Sequence, residues 1–373
     1  MTTLDAKLDA EFSPLLYKAN FEIAEEGEAE TQLALNETLL GIAETTFKHS
    51  GHATRSVHAK CHGLLIGELK ILDNLPTHLA QGLFAKSGTF PLLMRFSTPP
   101  GDILDDNVSL PRGLAIKILG VEGERLTGTE NAKTQDFVLV NGPAFLAPNA
   151  KKFLSSLKLL ATTTDKVPSL KKALSTVLQS TEKLIEAVGG ESATIKSMGG
   201  HPETNILGET YFSQAPILYG QYMAKISVAP ISDALLQLKD SLVDLTDKPN
   251  GLREAVITYF SNQSAEWELR VQLCTDLESM PIENSSVAWP EDLSPYIAVA
   301  RITVKPQSGW SEARSIIVDD GMSFSPWHGI AAHRPIGSIM RVRKMAYALS
   351  AKFRAERNGQ PMLEPEHLND FPD

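Results

Sequence analysis

The stretch RSVHAKCHG, residues 55–63, sets His58, Cys61 and His62 within five positions of one another, in a chain with only two cysteines. Residues of these types so close together could form a metal site, a catalytic dyad or an ordinary core strand. A structural zinc site takes four ligands in two paired groups, and no second pair accompanies these three. On an extended strand successive side chains alternate faces, so His58 and His62 share one face with Lys60 while Cys61 points to the other. One strand cannot aim all three at one ion. The spacing favours a half-buried strand in which the cysteine is a small apolar residue.

Other clusters offer less. GDILDDN (101–107) places Asp102, Asp105 and Asp106 near the spacing of a calcium loop but lacks its glycine and terminal glutamate, and reads as a solvated turn. WHGIAAHR carries His328 and His333 five residues apart in a proline-bounded segment, poor spacing for one helical face. They read as surface or capping histidines. The sequence contains no nucleophile elbow, phosphate loop or dinucleotide fingerprint.

The arginines say more. Arg55, Arg95 and Arg112 each lie in or beside an apolar strand-like run. A guanidinium there is costly unless it meets an anion, which points to a buried acidic ligand, with surface ion pairs as the alternative. In RKMAY, Arg343 and Tyr347 stand four apart and touch if the segment is helical. A guanidinium beside the ring oxygen favours phenolate, a hard anionic donor suited to ferric iron. The alternative is a core tyrosine with a stacked arginine.

The elements that position these residues follow from texture. At 373 residues and 42% hydrophobic content the chain builds a sizeable core. A net charge of -10, from 45 acidic against 35 basic residues, argues against nucleic acid as a partner. The cysteines, Cys61 and Cys274, are too far apart for a disulfide framework or a paired metal knuckle. The first residues lack the pattern of a secretory signal, and no apolar run approaches the roughly 20 residues of a membrane helix. A cytoplasmic location is expected.

Residues 12–48 contain helical spacing at Leu33, Leu35, Leu39, Leu40 and Ile42. From 53 to 139 short β-type runs alternate with Pro, Gly and Asp clusters, and AQGLFA reads as a short helix or turn. Helical patterns return over 147–200, strands over 208–305, and a last helix over 336–357. This order predicts an α+β fold in which two sets of antiparallel strands meet in one sheet or barrel.

RSVHAKCHG, RFST, RGLAIK, TQDFVLVNGPAF and the terminal Arg-x-x-x-Tyr helix occur in the order and approximate spacing of haem catalases. WPEDLSPYIAVARITVKPQ and FSPWHGI look like the catalase stretch before the proximal helix, and the matches run from about residue 51 to 354. AKCHGLLIGELKI, LPTHLAQGLFA and GERLTGTENAKTQDF look closer to the small catalase-related proteins. The resemblance implies an antiparallel β-barrel flanked by helices, with a haem pocket between barrel and last helix. Residues 1–50 would form an N-terminal helical arm and 51–373 the haem domain, its distal strand at 53–63.

Carried over position by position, the resemblance makes His58 the distal acid–base group, Ser97 its hydroxyl support and Tyr347 the axial ligand of haem iron, a ligation mode known in catalases. Arg343 would support the phenolate, and Arg55, Arg95 and Arg354 would surround the haem propionates. Val57, Phe137 and Phe145 would pack on the distal side. The distal asparagine of catalases aligns with Ala132, and Asn131 fills that role if the strand carries a one-residue bulge. The implied cofactor is haem b, with NADPH not expected because the chain ends soon after Arg354.

The implied activity is peroxide-dependent oxidation: an organic-donor peroxidase with some catalase activity. Partners would be hydrogen peroxide or an organic or lipid hydroperoxide with a small organic reductant, and a homo-oligomer is compatible with this. Two rivals stand beside it. One is a fatty-acid hydroperoxide isomerase or lyase of the allene oxide synthase type, though Val57 is catalase-like where that branch tends to carry a hydroxyl. The other is a non-catalytic haem-binding protein.

Overall fold

A computed structural model describes residues 13–99, 101–108, 110–161, 202–368 and 371–372. Nine strands are ordered in the chain as β1 (Cys61–Ile71), β2 (Thr89–Ser97), β3 (Gly113–Leu119), β4 (Thr134–Val140), β5 (Tyr211–Phe212), β6 (Ile217–Tyr219), β7 (Tyr222–Pro230), β8 (Ala265–Leu273) and β9 (Ile297–Val304). The longer helices among the described residues are α1 (Glu28–Ser50), α2 (Ala150–Ala161), α3 (Gly251–Phe260) and α4 (Ser338–Asn358).

Every strand pairing is antiparallel. β2, β3 and β4 follow β1 in hairpin order, while β9, β8 and β7 extend from its other edge. β5 closes the ring: Phe212 pairs with Val140 of β4, and Tyr211 pairs with Val228 of β7. The result is a closed eight-stranded barrel with β6 as a hairpin extension of β7. Closure leaves no unpaired edge through the eight.

Alternation along each strand fills the barrel. Leu65 and Leu69 of β1, Met94 and Phe96 of β2, Ile116 of β3 and Trp267 and Leu269 of β8 point inward to one continuous core. The outward residues Leu64, Leu93 and Ala115 are apolar too, and they form a second cluster with Val318, Met322 and Phe324. β3 is consequently buried at every position. A strand covered on both faces reads as an unbroken apolar run, as GLAIKIL does.

Several elements depart from the sequence reading. The strand expected at 53–63 begins only at Cys61, and a register shift between Cys61 and Gly63 marks its irregular start. His58 lies in the preceding loop, its backbone in the left-handed region at φ 57. The first helix starts at Glu28, after Gly27 turns the chain at φ 76. It is no free arm: Leu35 and Ile42 pack with Ala150, Leu157 and Val342, while Leu33 is exposed.

α3 interrupts the segment read as strands over 208–305, because Leu252, Val256 and Phe260 recur at i, i+4 and i+8 and bury one face on the barrel. His333 is not a surface residue but sits in the barrel core, its ring between Phe84, Phe137 and Tyr219, with Nε2 accepting from the Leu83 N–H at 3.0 Å. His328 lies between the Asp136 and Glu364 carboxylates, at 3.3 and 3.1 Å. Asp106, expected in a solvated turn, is 4% exposed and pairs with Lys60 at 2.7 Å. The expected helical pattern beyond residue 161, and the first 12 residues, lie outside the described residues.

Candidate functional site

A cavity of about 720 Å³ opens between the outer face of the barrel and α4, a size ordinary for a cofactor site. Val57 and His58 reach it from the loop before β1, Arg95 and Ser97 from β2, Ala115 from β3 and Val138 from β4. Ala346, Tyr347, Ser350 and Arg354 reach it from α4, and Leu39 closes it from α1. The α4 residues recur at i, i+3/i+4 and i+7, one stripe of an α-helix. Helical periodicity thus brings Tyr347 and Arg354 to face barrel residues some 250 to 300 positions earlier in the chain.

His58 is fixed from two sides. Its backbone N–H donates to the Pro99 carbonyl at 2.6 Å, and its Nδ1 lies 3.1 Å from Ser97 Oγ. Nε2 is left for whatever enters the cavity. Burial, with Arg95, Arg343 and Arg55 nearby, drives the imidazole down to about 3, so it is neutral at physiological pH. A histidine held at positive φ is uncommon, and such strain concentrates at functional sites.

Gly113 explains how the ring fits. A Cβ at this position would lie 2.5 Å from His58 Nδ1 and 2.9 Å from Ser97 Oγ. RGLAIK therefore carries a functional glycine that the sequence reading passed over; the signal was a glycine inside an otherwise unbroken strand pattern.

On α4, the Arg343 Nη2 donates to Tyr347 Oη at 3.1 Å, and the guanidinium carbon lies 5.5 Å from the tyrosine ring centre. The four-residue spacing puts the two side chains together as read from the sequence.

The arginines converge, and an anion is present. Arg55 Nη1 donates to Asp319 Oδ1 at 2.6 Å and Arg95 Nε to the same oxygen at 2.7 Å. Arg354 donates to the Asp319 carbonyl and, at 3.2 Å, to the Met322 carbonyl. Burial alone would raise the Asp319 carboxyl, but Arg95 and Arg55 outweigh it and hold it at about 2. Desolvation, with Arg95 and Arg354, pushes Arg55 well below its ordinary value, and Arg354 falls to about 10. Three guanidiniums meet one carboxylate here, and Arg354 Nε and Ser56 Oγ are buried with no partner in residues that line the cavity.

Asp319→Asn should therefore destabilise the protein by about 3–5 kcal/mol at pH 7, the typical cost of leaving buried cations unpaired. The carboxyl's folded value lies below its unfolded one, so its contribution is complete above about pH 4 and fades as pH falls through about 2. Thermal melts of the two proteins should converge across that interval.

Not every candidate reaches the cavity. Phe137 points into the barrel against His333, and Phe145 packs on Phe153 with ring centres 5.0 Å apart. Asn131 is exposed on the turn before β4. Arg112 is buried beside Leu110, to whose carbonyl it donates, and does not line the cavity. The cluster that drew attention first is dispersed: Cys61 faces the outer apolar cluster, His62 Nε2 lies 3.1 Å from Thr98 Oγ1, and only His58 enters the cavity. Asp319, which gathers the arginines, had no sequence signature.

No family model matches the sequence, and no curated protein is similar to it. Solved structures are similar in fold. Catalase A from Saccharomyces cerevisiae superposes with a TM-score of 0.59 at 18% identity, covering 83% of this chain and 62% of that one. A fungal catalase gives 0.60 at 18% identity over 87% of this chain and 69% of that one, and a bacterial catalase 0.56 at 16% over 95% and 70%. The chain thus spans less than two thirds of the length of catalase A. With its closed eight-stranded antiparallel barrel and flanking helices, this protein has the catalase-like α+β fold.

Proposed function

We propose that the protein is a haem b-dependent oxidoreductase that uses peroxides, acting as an organic-donor peroxidase with some capacity to dismute hydrogen peroxide. The single observation that carries this reading is the meeting, in one cavity, of an arginine-supported tyrosine from α4 and a neutral, hydroxyl-anchored histidine from the barrel side. The residues fit the group. Tyr347 Oη is a hard oxygen donor for ferric iron, and the cluster of Arg55, Arg95 and Arg354 has two more positive charges than Asp319 supplies, matching two propionates. Val57, Leu39, Val138 and Phe324 provide apolar walls for a macrocycle.

A bound haem supplies the redox chemistry that side chains lack. The chain's own part is proton management. With Nδ1 engaged by Ser97, His58 Nε2 takes the proton from one peroxide oxygen and returns it to the other, so that the O–O bond breaks with water or an alcohol leaving. A group neutral down to about pH 3 is ready as a base throughout the physiological range. The Arg343 guanidinium holds Tyr347 Oη in place from the side, and the apolar walls keep bulk water from the reacting oxygens.

The test is a hemin titration followed by two assays, one with hydrogen peroxide and a phenolic donor, the other with a fatty-acid hydroperoxide alone. Saturable binding with a tyrosinate-type spectrum and donor oxidation are expected. Turnover of the lipid hydroperoxide alone would replace the peroxidase reading with the isomerase one, and a protein that takes up no hemin would end both.

Gly113→Ala bears on the same site. The added methyl must push the His58 ring from Ser97, and a displacement near 1 Å at a catalytic group lowers rates by about 100-fold. Peroxide cleavage by the loaded variant should fall by that order while hemin affinity stays close to wild type, as stopped-flow mixing and titration will show.

A further inference from the structure

His62 is fully buried and has no part in the chemistry above. Its Nε2 lies 3.1 Å from Thr98 Oγ1, and its Nδ1 faces Asp106 Oδ1 at 3.7 Å. Asp106 is itself fixed, by Lys60 Nζ at 2.7 Å and the Leu252 N–H at 2.9 Å. The carboxylate favours the proton on Nδ1, which leaves Nε2 to accept the Thr98 hydroxyl proton. Aspartate, imidazole and hydroxyl thus form a chain that ends on one residue of β2's exit.

That exit, residues 97–99, is the jig that holds His58. Ser97 Oγ takes the ring, the Pro99 carbonyl takes the His58 N–H, and the Thr98 N–H donates to the Lys60 carbonyl at 3.2 Å. A histidine at φ 57 stays there only when its surroundings over-determine it. Two of the three exit residues grip the His58 loop directly, and the third carries its side chain to His62, four positions past His58. The two segments are cross-linked at both ends of the loop.

We propose that His62, acting through Thr98, is a positioning residue that fixes the exit of β2 and so holds His58 in its productive orientation. The assignment rests on the acid–base role given to His58 above. It also gives a task to the residue in RSVHAKCHG that neither metal binding nor the cavity explains. Asp106 and Lys60 orient His62, and their depth in the fold keeps the chain dry and short.

The full-length protein is compared as wild type, Thr98→Val, Thr98→Ser and His62→Leu. In the haem-free protein, with histidine labelled by ¹⁵N, the His58 ring should titrate nearer the ordinary histidine value in Thr98→Val and His62→Leu, and as in wild type in Thr98→Ser, which keeps the hydroxyl. In the hemin-loaded protein, peroxide cleavage should fall about tenfold in the first two and recover in the third. On a His58→Ala background the same changes should lower the rate no further. Wild-type titration and rate in Thr98→Val would overturn the proposal, and so would an equal loss with and without His58, since that marks general loosening. If Thr98→Val does not fold, Thr98→Ala removes the same hydroxyl and repeats the comparison. If His58→Ala cleaves peroxide as fast as wild type, the proposed function fails, and the haem-free titration still decides the positioning.

Discussion

Tyr347→Phe should weaken hemin binding by about 100-fold or more, beyond the 10–100-fold typical of losing an outer-shell partner alone. The phenylalanine ring keeps the shape of the α4 stripe and its stacking with Arg343, so packing changes little. What disappears is one oxygen, the acceptor of the Arg343 bond at 3.1 Å and the proposed iron ligand. The variant loses the ligand and gains an unpaired guanidinium beside the site. Arg343→Leu keeps the oxygen and loses only its support, so its affinity should fall by about tenfold. Absorbance titration of the haem-free proteins measures both. Equal affinity of Tyr347→Phe and wild type would remove the tyrosine from the proposal.

The pairing of Arg343 with Tyr347 was legible because an α-helix turns four residues of spacing into contact, with no help from the rest of the fold. The barrel was legible for a related reason: period-2 runs broken by Pro and Gly give strands whatever they pack against. His58 was picked out while its backbone was misread. A strand of alternating faces was expected, but the chain turns across the exit of β2 and holds the histidine at φ 57, a conformation set by the Pro99 and Ser97 contacts rather than by neighbours in sequence.

Asp319 was invisible for the same kind of reason. Nothing in IIVDDG marks one aspartate as the meeting point of arginines that lie 264, 224 and 35 positions away. The arginines announced that an anion was needed; only the tertiary fold shows that the protein brings its own and leaves charge over. Gly113 and His62 share this character. Each acts by what it leaves room for or leans on across the barrel, and neither has a local pattern. The fold was largely readable from periodicity. The site was readable as a set of residue types, but the second layer that aims them was not.

His58→Ala should lower the rate of peroxide cleavage in the loaded protein by about 10²–10⁴-fold, the span associated with a positioned acid–base group. Hemin affinity should be unchanged, since His58 meets the cavity from the barrel side and the proposed ligand and charge contacts come from Tyr347 and the arginines. The alanine also inherits a left-handed backbone that a β-carbon disfavours, and would lower the melting temperature for that reason alone. His58→Gly separates the two effects. Glycine adopts positive φ without strain, so it should lose the same catalytic rate with the smaller loss of stability. The pH dependence gives a second check. The imidazole is held down to about 3, so protonating it cannot limit the wild-type rate until the pH falls toward that value. The cleavage rate should stay flat from pH 8 to 5, where an ordinary histidine would already have cut it. A wild-type rate that halves near pH 6.5 would mean that His58 sits in water rather than in this cavity. A flat profile with an undiminished rate in both variants would mean that the proton moves without it.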